Sequence, residues 1–160
     1  MAANPLPTAA SIADLVTMLV GKKVRAVPTT PFPVASARGI ATYVDQSQKL
    51  AFVALTDMAF LAGVGAALAM IPAGVVTEAI KSGKPAPVLT ENAFEVMNIL
   101  SSLYNDAEGK GTHIKIKGLV VVPPVPPDVA LHLAKPVGRI DLEIQLPGYA
   151  NGKLTLLALP

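Results

Sequence analysis

The sequence predicts an α/β domain of the α+β type, with helices packed on a largely antiparallel sheet of about six strands. Two observations carry this. Strand-like runs come in pairs instead of alternating strictly with helical ones, and Arg139 to Leu146 alternates cleanly, with Ile140, Leu142, Ile144 and Leu146 on one face and Asp141, Glu143 and Gln145 on the other. A third bounds the size: 160 residues fit one domain, spanning 1–160, with a single core. Because 52% of the residues are hydrophobic and only 4% aromatic, that core must be built from Ala, Val, Leu and Ile.

In chain order, Ser11 with Asp14 three residues later resembles a capping box, and Ile12, Leu15, Val16 and Leu19 continue at helical spacing until Gly21. Val24 to Val27 reads as a strand, followed by a loop punctuated by Pro28, Pro31 and Pro33. Ile40 to Val44 and Leu50 to Leu55 flank the polar turn 45–48 and predict a hairpin. Asp57 is placed to cap an apolar helix, and Ala73 to Lys81 forms a short helix closed by Gly83. Thr90 would cap a helix from Glu91 to Asn105, terminated by Gly109 and Gly111. His113 to Val122 is a strand with a rigid proline exit, Pro123 to Pro127. Arg139 to Leu146 and Leu154 to Leu159 form a C-terminal hairpin around the turn 147–152.

Composition excludes several functions. A net charge of +2 is too small and diffuse for nucleic-acid binding, and the cluster Lys22, Lys23 and Arg25 reads as a solvated strand start. With no cysteines there is no disulfide, no thiolate metal site and no thiol catalysis. The first residues lack the basic stretch of an export signal, so a cytoplasmic location is expected. Met58 to Val76, an uncharged run of 19 residues, reaches the length at which a membrane span must be weighed. Pro72 should cut it to a helix of about 14 residues, the length of a core helix, so no membrane partner is expected. Its Gly63 and Gly65 permit close packing. Glu108 to Thr112 follows a helix, not a strand, and lacks the Ser or Thr after its lysine that a phosphate loop needs. His113 and His132 have no second ligand at helical spacing, so neither a metal site nor an intrinsic cofactor is expected.

The helix Glu91 to Asn105 carries the functional signal. At about 100° per residue, Glu91, Glu95, Asn98, Ser102 and Asn105 share one narrow face, while Phe94, Met97, Leu100, Leu103 and Tyr104 supply the packed side. An ordinary solvated face mixes Lys and Arg with Glu. This one holds two acids, two amides and a hydroxyl, and no base lies within the helix. Periodicity alone fits an ordinary amphipathic helix with water on its polar side; the choice of residues suits a face that could present a carboxylate and a carboxamide together to a partner's polar site.

Glu95 to Leu100, EVMNIL, resembles the E-x-x-N helix signature of the CheC/CheX/FliY chemotaxis phosphatases. Leu15 to Val24 resembles that family's first helix and its Gly-Lys-Lys-Val strand start, and Leu146-Pro147-Gly148-Tyr149 resembles its C-terminal hairpin. The resemblance implies a CheC/CheX-like fold and a phosphatase for the aspartyl phosphate of a CheY-like response regulator. It implies that Glu95 pairs with the regulator's active-site lysine and that Asn98 holds the attacking water, with Glu91, Ser102 and Asn105 as further partner-binding residues. The required Mg2+ belongs to the regulator. Glu91 stands where the family pattern prefers Asp or Ser, and the first helix has no E-x-x-N, so at most one site exists per chain, as in CheX; a CheX-like homodimer is implied too. The alternative is a catalytically silent adaptor of the same fold. A third reading anchors the chain to a membrane through Met58 to Val76.

Overall fold

The computed structural model describes residues 6–108, 113–123 and 125–160. The chain opens with α1, Ala9–Val20. Its cap is Thr8, whose hydroxyl accepts the Ser11 N–H at 3.1 Å, and not Ser11 itself. Ala9 and Ala10 are good helix formers and extend the helix backward to the earlier threonine. Gly21, at φ 75°, ends it in the left-handed conformation that glycine adopts without strain. The Thr17 hydroxyl then accepts the Val24 N–H at 2.9 Å and ties the helix to the start of β1, Arg25–Pro28.

The predicted hairpin is present as β2, Gly39–Val44, and β3, Leu50–Thr56. Its turn is held by Asp45, whose Oδ1 accepts from the amides of Ser47 and Lys49 at 2.8 and 3.0 Å. Next come α2, Met58–Leu68, and α3, Ala73–Ser82. The apolar run is thus cut four residues before Pro72: Met70 turns to φ 57°, and Pro72 opens α3 instead of closing α2. Among the described residues, no helix is long and apolar enough to cross a membrane.

The long α4 runs Pro87–Glu108 and is followed by β4, Lys115–Val121. Of the segment 108–112, residues 109–112 lie outside those described. Beyond the prolines a short helix that sequence patterning missed, α5, covers Pro127–Leu133. The C-terminal hairpin is β5, Gly138–Gln145, and β6, Gly152–Ala158.

All six strands join one sheet in the order β1-β5-β6-β3-β2-β4, and every neighbouring pair is antiparallel. The main core lies between one sheet face and helices α1 to α4. Tyr43, Phe52, Leu142, Ile144, Leu154 and Leu156 rise from the sheet to meet Ile12, Phe60, Leu61, Leu89, Met97 and Leu100. A smaller core on the opposite face packs Ile40, Val53, Leu55 and Leu157 under Phe32 and the α5 residue Val129. This second layer explains why β2 and β3 are apolar on both sides while β5 alternates.

Close contacts at its glycines and at its cap join α2 to its surroundings. A Cβ on Gly65 would collide with the Leu89 carbonyl of α4, so that glycine serves helix-on-helix contact, whereas a Cβ on Gly63 would stand 2.9 Å from the Leu146 side chain. Asp57 caps α2, its Oδ1 accepting from Phe60 N–H at 2.8 Å and from Lys153 N–H of β6 at 3.0 Å. Burial raises the Asp57 carboxyl above its usual range, against the lowering effect of those two amides and of the Lys153 ammonium.

Three outcomes follow. Gly65→Ala should destabilise the fold by about 1–3 kcal/mol in urea unfolding, because backbone atoms must separate to admit the methyl group. A carboxyl raised on folding contributes stability that is fully present below its unfolded pKa and is lost as pH rises through the folded value. Asp57→Asn keeps the cap acceptor and removes that loss, so it should gain stability relative to wild type as pH rises above the ordinary carboxylate range and through the raised folded value. Asp57→Ala should lose about 1 kcal/mol through the missing cap. Parallel stability–pH curves for wild type and Asp57→Asn would refute the assignment.

Candidate functional site

The helix that carries the polar stripe begins one turn earlier than Thr90. Pro87 opens α4, and the Thr90 hydroxyl donates back to the carbonyls of Ala86 and Pro87 at 3.4 and 3.3 Å, so Thr90 lies inside the first turn and is not the cap. Proline at the first helical position is favourable because its missing N–H would have had no partner there.

Three sets of contacts fix the rotation of α4. Ala93, Val96, Met97, Leu100 and Tyr104 are buried toward the sheet and α2. The Tyr104 ring stacks on Phe52 at 4.1 Å and meets Tyr43 edge-on at 4.8 Å. The Tyr43 hydroxyl donates to the Met97 carbonyl at 2.7 Å, one residue before Asn98. Near the start of the helix, the Asn92 amide donates to the Gly65 carbonyl at 2.9 Å. Burial raises both tyrosine hydroxyls well above their ordinary pKa, and for Tyr43 the neighbouring Tyr104 adds to the effect, so both stay neutral; Tyr43 donates to Met97, whereas the buried Tyr104 hydroxyl has no partner among the described residues.

With that rotation set, Glu91, Glu95, Asn98 and Ser102 all face outward and are exposed. The 3.6-residue period puts the Glu95 carboxylate and the Asn98 carboxamide one turn apart on the same side. Ser102 donates its hydroxyl to the Ile99 carbonyl at 2.8 Å, leaving only its acceptor capacity for a partner. Asn105 departs from the stripe. Its Oδ1 accepts the Ile114 N–H at 2.8 Å and its Nδ2 donates to the Ile114 and Ser101 carbonyls at 3.1 and 3.2 Å. The fifth residue of the stripe is therefore a clamp holding the end of α4 to the start of β4, and its amide is already engaged. Helical periodicity points Asn105 toward the stripe but cannot register a strand that returns beside it.

Beside the stripe, Thr90, Glu91, Phe94, Glu95 and the β4 residue Leu119 line an open groove of about 360 Å³. Its floor is apolar and its rim carries the two carboxylates. Glu91 and Glu95 are like charges four residues apart, an arrangement that disfavours the helix by a few tenths of a kcal/mol, and α4 contains no base to offset it. No group of three or more metal-ligating side chains occurs among the described residues.

No protein-family profile matches the chain, and no curated protein matches it. Solved structures do match in fold. The FliM–SpeE complex from H. pylori aligns at TM-score 0.66 and 8% identity, covering 94% of this chain and 81% of that one. FliY from Thermotoga maritima aligns at 0.55 and 12%, covering 96% and 84%. The CheX–CheY–BeF3–Mg complex from Borrelia burgdorferi aligns at 0.54 and 11%, covering 94% of each chain. The chain has the fold shared by CheX, CheC-like, FliY and FliM proteins, as the E-x-x-N resemblance implied.

Asn105→Ala should lower stability by about 1–3 kcal/mol, since it strands the Ile114 N–H and carbonyl at the α4–β4 junction. Amide exchange at Ile114 and along Lys115 to Val121 should quicken with it, while exchange in β5 and β6 stays at the wild-type rate.

Proposed function

We propose that this chain is a phosphatase acting on the aspartyl phosphate of a CheY-like response regulator in chemotaxis or two-component signalling. The observation that carries the reading is the outward placement of Glu95 and Asn98 one turn apart on a helix locked by Tyr43, Tyr104 and Asn92. Catalysis by positioning needs that rigidity, because a misplacement of about 1 Å can reduce a rate 100-fold.

In this reading α4 enters the regulator's active site. The Glu95 carboxylate pairs with the regulator's lysine and sets the docking register. The Asn98 carboxamide orients one water in line with the phosphorus. Attack by that water oxygen forms the new P–O bond as the bond to the aspartyl oxygen breaks, releasing inorganic phosphate and restoring the regulator's carboxylate; the water's protons pass to phosphate and solvent. Acyl phosphates are labile, and phosphoryl transfer is accelerated mainly by orientation and electrostatics, so a neutral amide suffices. Mg2+ held by the regulator balances the phosphoryl charge. Glu91 and Ser102 extend the docking face along the helix. The CheX of the Borrelia burgdorferi complex, which shares this fold, is seen with CheY, BeF3 and Mg. A cytoplasmic location and a homodimer belong to the same reading.

A second reading has support of its own. The FliM structures align with higher TM-scores than the CheX complex does, 0.65 and 0.66 against 0.54. A catalytically silent adaptor would use the same α4 face to bind a signalling or flagellar-switch partner.

The test is the decay of phosphorylated CheY-like regulators from the same genome, with Mg2+, in the presence of wild type or Asn98→Ala. The phosphatase reading expects acceleration by wild type and a loss of about 100-fold or more in the variant, with regulator affinity changed little. Unaccelerated decay across the panel would overturn it and favour the adaptor.

A further inference from the structure

A cleft of about 180 Å³ that shares no residue with the α4 groove lies where the ends of α1 and α2 meet the turn between β5 and β6. Val20, Ala67, Ile71 and Leu146 give it apolar walls contributed by three parts of the chain. The Tyr149 hydroxyl donates to the Ile71 carbonyl at 2.5 Å and so joins the β5–β6 turn to the segment after α2. Met70 stands on the rim, 85% exposed and at φ 57°, a left-handed conformation uncommon for a side chain of this size. Lys22 forms the remaining part of the mouth, its ammonium 4.0 Å from where a Cβ on Gly148 would sit.

Charge decides what fits. Lys22 is exposed, as are Lys23 and Arg25, and β1, which this cluster opens, is one edge strand of the sheet. At the other edge stands β4, whose Leu119 lines the groove of the acidic α4 face. The sheet therefore has an apolar cleft with Lys22 at its mouth beside one edge and the acidic α4 face beside the other, and no residue lines both. The cluster that sequence patterning assigned to a solvated strand start has an apolar cleft beside it.

We propose that this cleft docks an acidic segment of a second protein, seating one apolar side chain against Ala67, Ile71 and Leu146 with a neighbouring carboxylate on Lys22. The walls suit an aliphatic side chain, and the Lys22 ammonium at the mouth selects an acidic flank over neutral or basic ones. The proposal is independent of the phosphatase reading, because no residue of the α4 stripe takes part.

The probe is a short peptide, blocked at both ends, with one central leucine flanked by glutamates, titrated into isotopically labelled full-length protein and followed by NMR. Saturable shifts should appear at Ala67, Ile71, Leu146 and Tyr149 and not at Glu95 or Asn98. Replacing the leucine with serine should weaken binding about tenfold or more, and replacing the glutamates with glutamines, or Lys22 with glutamate, about fivefold. Lys22 is exposed, so Lys22→Glu tests the contact without threatening the fold. The proposal is overturned if the serine peptide binds as well as the leucine peptide, if shifts centre on α4, or if no saturable shift occurs. It is equally overturned if the cleft signals move with protein concentration alone, which makes a second copy the occupant. Sedimentation with anionic vesicles that Lys22→Glu abolishes, without peptide binding, would assign the cleft to a membrane surface and overturn it as well.

Discussion

The close approach of α4 to α2 sets the geometry on which the candidate site depends. Gly65 has no side chain, so the Leu89 carbonyl comes up against its backbone, and the Asn92 amide closes the gap by donating to the Gly65 carbonyl. With the two helices in contact, α4 settles low enough for Tyr104 to stack on Phe52 and for Tyr43 to reach the Met97 carbonyl. Each contact acts on the buried side of α4, and together they leave the helix one orientation. The exposed line of Glu91, Glu95 and Asn98 is the reverse side of that packing.

Few aromatic residues do this work in a chain that is only 4% aromatic. Tyr43, Phe52 and Tyr104 gather at one point between the sheet and α4, while Phe60 of α2 and a mostly aliphatic set fill the rest of the main core. A cluster of rings carries directional preferences that aliphatic side chains lack, so it resists helix rotation as well as separation. The clamp from Asn105 to Ile114 and the cap from Asp57 to Lys153 extend the same principle, each satisfying backbone groups of one element with a side chain of another.

Two regions beside opposite edges of the sheet, the α4 face and the approach to β1, differ in charge, although the edge strand β4 itself also bears the exposed Lys115 and Lys117. The acids of α4 stand without a base on their own helix, whereas Lys22, Lys23 and Arg25 crowd the approach to β1. A net charge of +2 conceals this separation, since it sums over both edges. Recognition depends on local potential, and a nearly neutral chain can offer one face to cationic groups and another to anionic ones.

Sequence alone determined the features that rest on short-range physics. The β2–β3 and β5–β6 hairpins, the Asp57 cap, the Gly21 stop and the outward direction of Glu91, Glu95, Asn98 and Ser102 all follow from turn chemistry and from periods of 2 and 3.6 residues. Tertiary structure decided the rest. The second core under β2 and β3 and the helix α5 were hidden because a short proline-led segment has too few residues to display a period. Asn105 looked like a member of the stripe until β4 returned beside it, and Gly65 signalled close packing without naming the partner until α4 lay across it. The apolar cleft at Lys22 draws its walls from residues as distant in sequence as Val20 and Leu146. Periodicity reports the direction in which a side chain leaves its own element; only packing determines what meets it there.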